Sequence, residues 1–95
     1  MNELSVVVFT MKGCPFCDMM KDQLNEAGIE FLEMDIDENK EEYDIFSKIT
    51  ENDFVPAFML MEIEGEDQKT NLFAPGRDYE MIDDGVKIIR EFVEK

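Results

Sequence analysis

The apolar and polar positions of the chain fall into seven segments. Leu4 to Thr10 is a nearly unbroken apolar run rich in β-branched and aromatic residues, bounded downstream by Lys12-Gly13. Continuous rather than alternating apolarity predicts a central strand buried on both faces. From Pro15 onward Phe16, Met20, Leu24 and Ala27 recur at spacings of four, four and three, with Gly28 behind them. That is an amphipathic helix with Pro in its first turn and Gly at C′. Ile29, Phe31, Leu32, Met34 and Ile36 lie among Glu30, Glu33 and Asp35, an imperfect alternation that predicts a second strand ending at the acidic stretch Asp35 to Asn39.

Asn39 followed three residues later by Glu42 fits a capping box, and Tyr43, Ile45, Phe46 and Ile49 predict one apolar face of a second helix that breaks at Thr50 to Asp53. Phe54-Val55-Pro56 leads into a third strand over Ala57 to Ile63; Gly65 sits in the turn before a fourth at about Lys69 to Phe73, and the two predict an antiparallel hairpin. After the turn Ala74-Pro75-Gly76, the stripe Ile82, Val86, Ile89 and Val93 predicts a C-terminal helix. Gly85 interrupts it at a cost of about 1 kcal/mol relative to Ala. The expectation is a tolerated defect, or a break between a short turn around Tyr79 to Asp83 and the main helix. Phe31, Phe46, Phe58 and Phe92 fall on apolar faces and read as core.

The order is therefore strand, helix, strand, helix, strand, strand, helix. The first two strands, joined by a helix, are expected to be parallel through a right-handed crossover and the last two antiparallel, giving an α/β fold with a mixed sheet and helices on both faces. Ninety-five residues, 44% of them hydrophobic, suit one core, so a single domain over 1–95 is expected.

The charge narrows the function. Twenty-four Asp and Glu against nine Lys and Arg leave a formal net charge of -15. Nucleic acid and anionic membranes bind clustered cations, so both are poor partners here. The chain contains no His, which removes Ser-His and Cys-His catalysis and imidazole ligation of metals. No stretch approaches the roughly 20 apolar residues of a membrane span. The start Met1-Asn2-Glu3 lacks the basic opening of a secretory signal, and a cytoplasmic location is expected.

What remains is Cys14-Pro15-Phe16-Cys17, set where a buried strand gives way to a helix. A Cys at the start of a helix meets unpaired backbone N–H groups and the positive end of the helix dipole, which favour the reactive thiolate. Cys14 is thus the expected nucleophile. Cys17, one helical turn on, is placed to resolve a mixed disulfide on Cys14. Lys12 favours the thiolate and Asp18 opposes it. With two Cys and no His, a closed structural zinc site would need carboxylates or a second chain, so a redox role is favoured over a metal. Met11, Met19 and Met20 beside the pair read as adaptable packing rather than soft-metal ligands. Phe16 is either a substrate contact or the first knob of the helix stripe.

Taken together, Val8-Phe9-Thr10, Cys14-Pro15-Phe16-Cys17 and Val55-Pro56 before a strand resemble a glutaredoxin of the dithiol Cys-Pro-Phe-Cys type, in the thioredoxin-fold superfamily. The resemblance implies a four-stranded sheet in the order 2-1-3-4, flanked by three helices. It implies an enzyme that reduces protein disulfides or glutathione mixed disulfides, with glutathione as co-substrate and no tightly bound cofactor. Ribonucleotide reductase is an implied client, and a monomer is expected. By the same resemblance Pro56 is a cis-proline facing the cysteines and the Val55 backbone pairs with substrate. Pro75-Gly76-Arg77-Asp78 corresponds to the family's Gly-Gly-x-Asp turn, in which Asp78 caps the last helix and holds the glutathione amino group. The implied substrate contacts are Lys12, Phe16, Phe54, Val55, Pro56, Gly76, Arg77 and Asp78.

The chain departs from the family pattern at several of these points. Met11 stands where the family Lys usually follows the strand, Phe54 replaces the Thr before Val-Pro, Asn52-Asp53 meets a family Arg or Gln, and the hairpin is lengthened around Glu62 to Lys69. Reset by thioredoxin reductase is the alternative that a weakened glutathione turn permits. A glutathione-assisted iron-sulfur protein is the alternative of another class, against which Pro15 argues.

Overall fold

The computed structural model describes residues 2–94. Its elements are β1 (Asn2–Thr10), α1 (Pro15–Glu26), β2 (Leu32–Asp35), α2 (Lys40–Thr50), β3 (Ala57–Glu64), β4 (Asp67–Phe73) and α3 (Ile82–Val93). The sheet runs β2-β1-β3-β4. β1 pairs parallel with β2, placing Val7 beside Leu32 and Thr10 beside Asp35, and antiparallel with β3, placing Val8 beside Phe58. β3 and β4 form the hairpin, with Phe58 beside Phe73. This is the thioredoxin-like arrangement that the resemblance implies.

The strand period of two divides the apolar run of β1 between two cores. Val6 and Val8, with Phe58 and Leu60 of β3, face Met20 and Leu24 of α1 and Ile82, Val86, Ile89 and Phe92 of α3. On the other face Phe9 and Ala57 pack with Ala74 and with Tyr43 and Phe46 of α2. Phe9 meets both α2 rings, at centroid distances of 5.5 and 5.0 Å. Because β1 is covered on both sides, its end at Thr10 is a rigid base for whatever follows.

The helices turn somewhat differently from the expected stripes. In α1 the buried face is Cys17, Met20 and Leu24, which swings Phe16 and Ala27 into solvent. In α2 it is Tyr43, Phe46 and Thr50, and Ile45 and Ile49 are exposed. α2 covers its sheet face alone, so it is covered along a single stripe and its flanks meet no neighbouring helix. α1 and α3 share the other face, and there α3 buries Phe92 while Val93 is half-buried.

Asn39 precedes α2 but its side chain makes no capping bond. Its amide instead donates to the Asp35 carbonyl at 3.0 Å, while the Asp35 carboxylate accepts the Asp37 N–H at 2.9 Å, so the acidic turn is closed from the strand side. The extra hairpin residues lengthen the strands and leave a two-residue turn, with Gly65 at φ 62 and Glu64 still paired with Asp67. Gly85 does not break α3. It lies in the first turn, where a Cβ would stand 3.0 Å from Met20 Cε and 3.1 Å from the Tyr79 ring, so glycine permits the close approach of α3 to α1.

Beyond the cores, Glu33 of β2 accepts the Thr10 hydroxyl at 2.8 Å and the Lys21 ammonium at 2.9 Å. Hydrogen bonding from Lys21, then from Thr10, holds the Glu33 carboxyl below its ordinary range, and the bond to Glu33 raises Lys21. A depressed carboxyl stabilises the fold above its unfolded value, and that contribution is lost as pH falls through the folded one. Thermal unfolding of the wild type is therefore expected to lose more between about pH 6 and pH 3 than that of Glu33→Gln. Equal acid sensitivity of the two would exclude a contribution from this contact.

Candidate redox site

The turn after Thr10 brings the chain back over the sheet, with Gly13 at φ 76, a left-handed conformation that glycine adopts without strain. Cys14 is the N-cap of α1, extended at φ -100 and ψ 105, and Pro15 occupies the first helical turn, where its missing N–H costs nothing. The Cys17 N–H donates to Cys14 Sγ at 3.1 Å, and the Asp18 N–H donates to the Cys14 carbonyl at 3.2 Å. The two cysteines form a disulfide with Cα atoms 5.3 Å apart. Cys14 retains 7% of its surface and Cys17 1%, so the N-cap sulfur is the one an incoming group can approach.

The segment 52–56 shares a groove with Phe16 of the Cys motif and is held at Asn52, Phe54 and Pro56. The Val55-Pro56 bond is cis and Pro56 is buried. The Tyr79 hydroxyl donates to the Pro56 carbonyl. The Tyr43 hydroxyl of α2 donates to the Phe54 carbonyl at 3.4 Å. The Asn52 side chain accepts the Phe54 N–H at 2.9 Å and donates to the Pro75 carbonyl at 2.9 Å, tying this segment to the Gly76 turn. Burial, then the nearby Asp78, raises the Tyr79 phenol far above its ordinary value, so it remains a donor. Burial likewise raises Tyr43, with Asp53 adding to it.

Tyr79→Phe retains the ring and removes the donor, leaving a buried carbonyl unpaired. A loss of about 1–3 kcal/mol is expected, read from urea unfolding midpoints. An unshifted midpoint would show that another group satisfies the carbonyl.

The structure brings Phe16, Phe54, Val55, Pro56 and Gly76 to one groove of about 430 Å³. Lys12, Arg77 and Asp78 lie outside its lining. Lys12 is exposed on the turn before Cys14. Arg77 pairs with Asp78 at 3.2 Å. Asp78 does not cap α3, which starts at Ile82 behind Met81. Its carboxylate instead accepts the Ala74 N–H at 2.8 Å and closes its own turn, together with the Gly76 N–H donated to the Tyr79 carbonyl at 2.7 Å. Three residues between Asp78 and the helix, Tyr79 to Met81, separate the carboxylate from the orphan N–H groups it was expected to satisfy.

Asn52, Tyr43 and Tyr79 were not among the expected site residues. Asn52 carried a faint signal, as a turn-forming residue shortly before Val-Pro. The tyrosines carried none, since an aromatic on an apolar face reads as core.

A family model described as Glutaredoxin matches residues 6–61. The chain is 41% identical over 51 residues to the Gene 56 protein of Mycobacterium phage L5, covering 54% of this chain and 50% of that protein. It is 38% identical over 42 residues to the N-acetyl-S-hydroxy-L-cysteine reductase of Bacillus subtilis, covering 44% and 45%. The alignments thus span about half the length of these curated relatives. Among solved structures it is similar to a thioredoxin of Trichomonas vaginalis, with a TM-score of 0.68 and 21% identity over 96% of this chain and 78% of that one. A malarial protein gives a TM-score of 0.56 at 19% identity, covering 95% and 97%. These structures share its fold.

Proposed function

Because the chain belongs to the glutaredoxin family of thiol-disulfide oxidoreductases, we propose that it reduces disulfides of other proteins by a two-thiol route, with Cys14 attacking and Cys17 resolving. The observation that supports this reading is the unequal exposure of two bonded sulfurs at a helix N-terminus. The Cys14 thiolate attacks one sulfur of the substrate disulfide, forming a mixed disulfide and releasing the first substrate thiol. The Cys17 thiolate then attacks Cys14 Sγ, forming the internal disulfide and releasing the second. Substrate gains two electrons and two protons, and the cysteine pair loses them. The Cys17 N–H aimed at Cys14 Sγ, with the helix dipole behind it, favours negative charge on that sulfur both as attacking and as leaving group.

An external donor resets the pair. Two glutathione molecules can do so, forming glutathione disulfide; thioredoxin reductase is the other donor. Ribonucleotide reductase is a client consistent with this chemistry. The Bacillus relative, named for reduction of an S-hydroxy cysteine derivative, favours a second substrate class: attack of Cys14 on an S–OH sulfur releases water, and Cys17 then frees the substrate thiol.

The test is NADPH consumption with a disulfide-bonded protein as substrate, coupled through glutathione and glutathione reductase or through thioredoxin reductase. Turnover with either supports the two-thiol reading and identifies the donor. Failure with both, together with failure of the pre-reduced protein to reduce the substrate stoichiometrically, would overturn it.

A further inference from the structure

The groove that Phe16 of the Cys14-Pro15-Phe16-Cys17 motif lines is not shaped or charged for a small anionic thiol. Its walls come from the first turns of α1, the segment ending in Pro56, the Gly76 turn and the start of α3. Three side chains on them stand far out of the protein: Phe16 is 60% exposed, Phe54 66% and Met81 64%. Met19 beside them is also exposed. Hydrophobic side chains raised together around one groove mark a surface that is covered when a partner binds. The charged members of the lining are Glu80 and Asp83, and it includes no Lys or Arg. Gln23 donates to Asp83 at 2.9 Å, which fixes that carboxylate without neutralising it.

Glutathione carries two carboxylates and one ammonium at neutral pH. It would bring net negative charge to a groove of the same sign, and it has no large apolar side chain to lay against Phe16, Phe54 and Met81. Asp53, exposed and next to Phe54 in the chain, adds a further negative charge to this part of the surface. The net charge of -15 attracts cations over distance, but salt screens it beyond about 8 Å, so the groove carboxylates make the local selection.

We propose that the preferred substrate of this site is an extended protein segment whose disulfide cysteine is flanked by apolar side chains and a Lys or Arg, and that glutathione mixed disulfides are disfavoured. This rests on the two-thiol reading above and specifies its substrate. The apolar flanks cover Phe16, Phe54 and Met81, and the basic residue meets Glu80 and Asp83.

The experiment uses the reduced full chain and synthetic disulfide-linked peptides of equal length and identical apolar flanks, carrying Lys, Gln or Glu near the cysteine. A fourth peptide replaces the apolar flanks by Ser, a fifth substrate is a peptide-glutathione mixed disulfide, and a small neutral aromatic disulfide serves as reference. Expected is a kcat/KM at least about tenfold higher for the Lys than for the Glu peptide at low salt. The ratio should shrink towards about one at roughly 0.5 M salt. The Ser and glutathione substrates should fall below the Gln peptide.

In the double variant Glu80→Gln, Asp83→Asn the same ratio, taken within the variant, is expected to drop to about two or less. Should that variant fail to fold, the salt series on the wild type carries the test. Equal rates for the Lys and Glu peptides, or fastest reduction of the glutathione substrate, would overturn the proposal, and intact reduction of the aromatic disulfide would then leave the two-thiol chemistry standing. Failure on every substrate would overturn both.

Discussion

Cys14→Ser is expected to abolish disulfide turnover, by at least about a thousandfold, because a serine hydroxyl at the same N-cap has neither the acidity nor the nucleophilicity of a thiol. Cys17→Ser should behave differently. It keeps the attacking sulfur, which retains its 7% exposure at the helix N-terminus, but removes the group that completes the exchange. The protein should therefore accumulate as a mixed disulfide through Cys14 when mixed with a peptide disulfide, detectable by intact mass, whereas Cys14→Ser should trap none. The roles diverge because Cys17, at 1% exposure, cannot be reached by a bulky substrate. Its access is to Cys14, one helical turn away. Trapping in Cys14→Ser and none in Cys17→Ser would reverse the assignment.

Phe58→Ala is expected to destabilise the fold by about 3–5 kcal/mol, a large share of the roughly 5–15 kcal/mol available to a domain of this size. Phe58 is fully buried in β3, stacked on Phe73 at 4.9 Å and tilted against Tyr79 at 5.5 Å. Removing the ring leaves a cavity between the sheet and the α1–α3 layer. It also removes support from the tyrosine that holds the Pro56 carbonyl. Activity on peptide disulfides should consequently decline at urea concentrations below the unfolding midpoint, where the wild type is still fully active. Denaturant melts of both proteins in one redox state measure the loss. A change below about 1 kcal/mol would mean that the neighbours collapse into the space.

These two residues also mark how legible the site was. The Cys pair could be read because its signals are local: an apolar run, a glycine turn, Pro in a first helical turn and a three-residue spacing all lie between Val6 and Cys17. Phe58 was readable as core from its strand. Its partner Tyr79 was not readable as part of the site, because the bond it makes joins residues 23 positions apart. The Asn52–Pro75 bond spans the same distance. Asp78 shows the opposite error: its motif pointed to a helix cap, whereas the backbone donor its carboxylate accepts from is the Ala74 N–H.

The amphipathic patterns by themselves determined the element order, the two-sided burial of β1 and the placing of Cys14 at a helix start, since each follows from periodicity and cap chemistry within a few residues. Only the tertiary structure decided which apolar side chains were left uncovered. Phe16 and Phe54 are as hydrophobic as Phe9 and Phe58, yet two project from the walls of one groove and two are sealed. Hydrophobicity expresses how much a side chain gains by leaving water; whether another element lies over it depends on packing between segments distant in the chain.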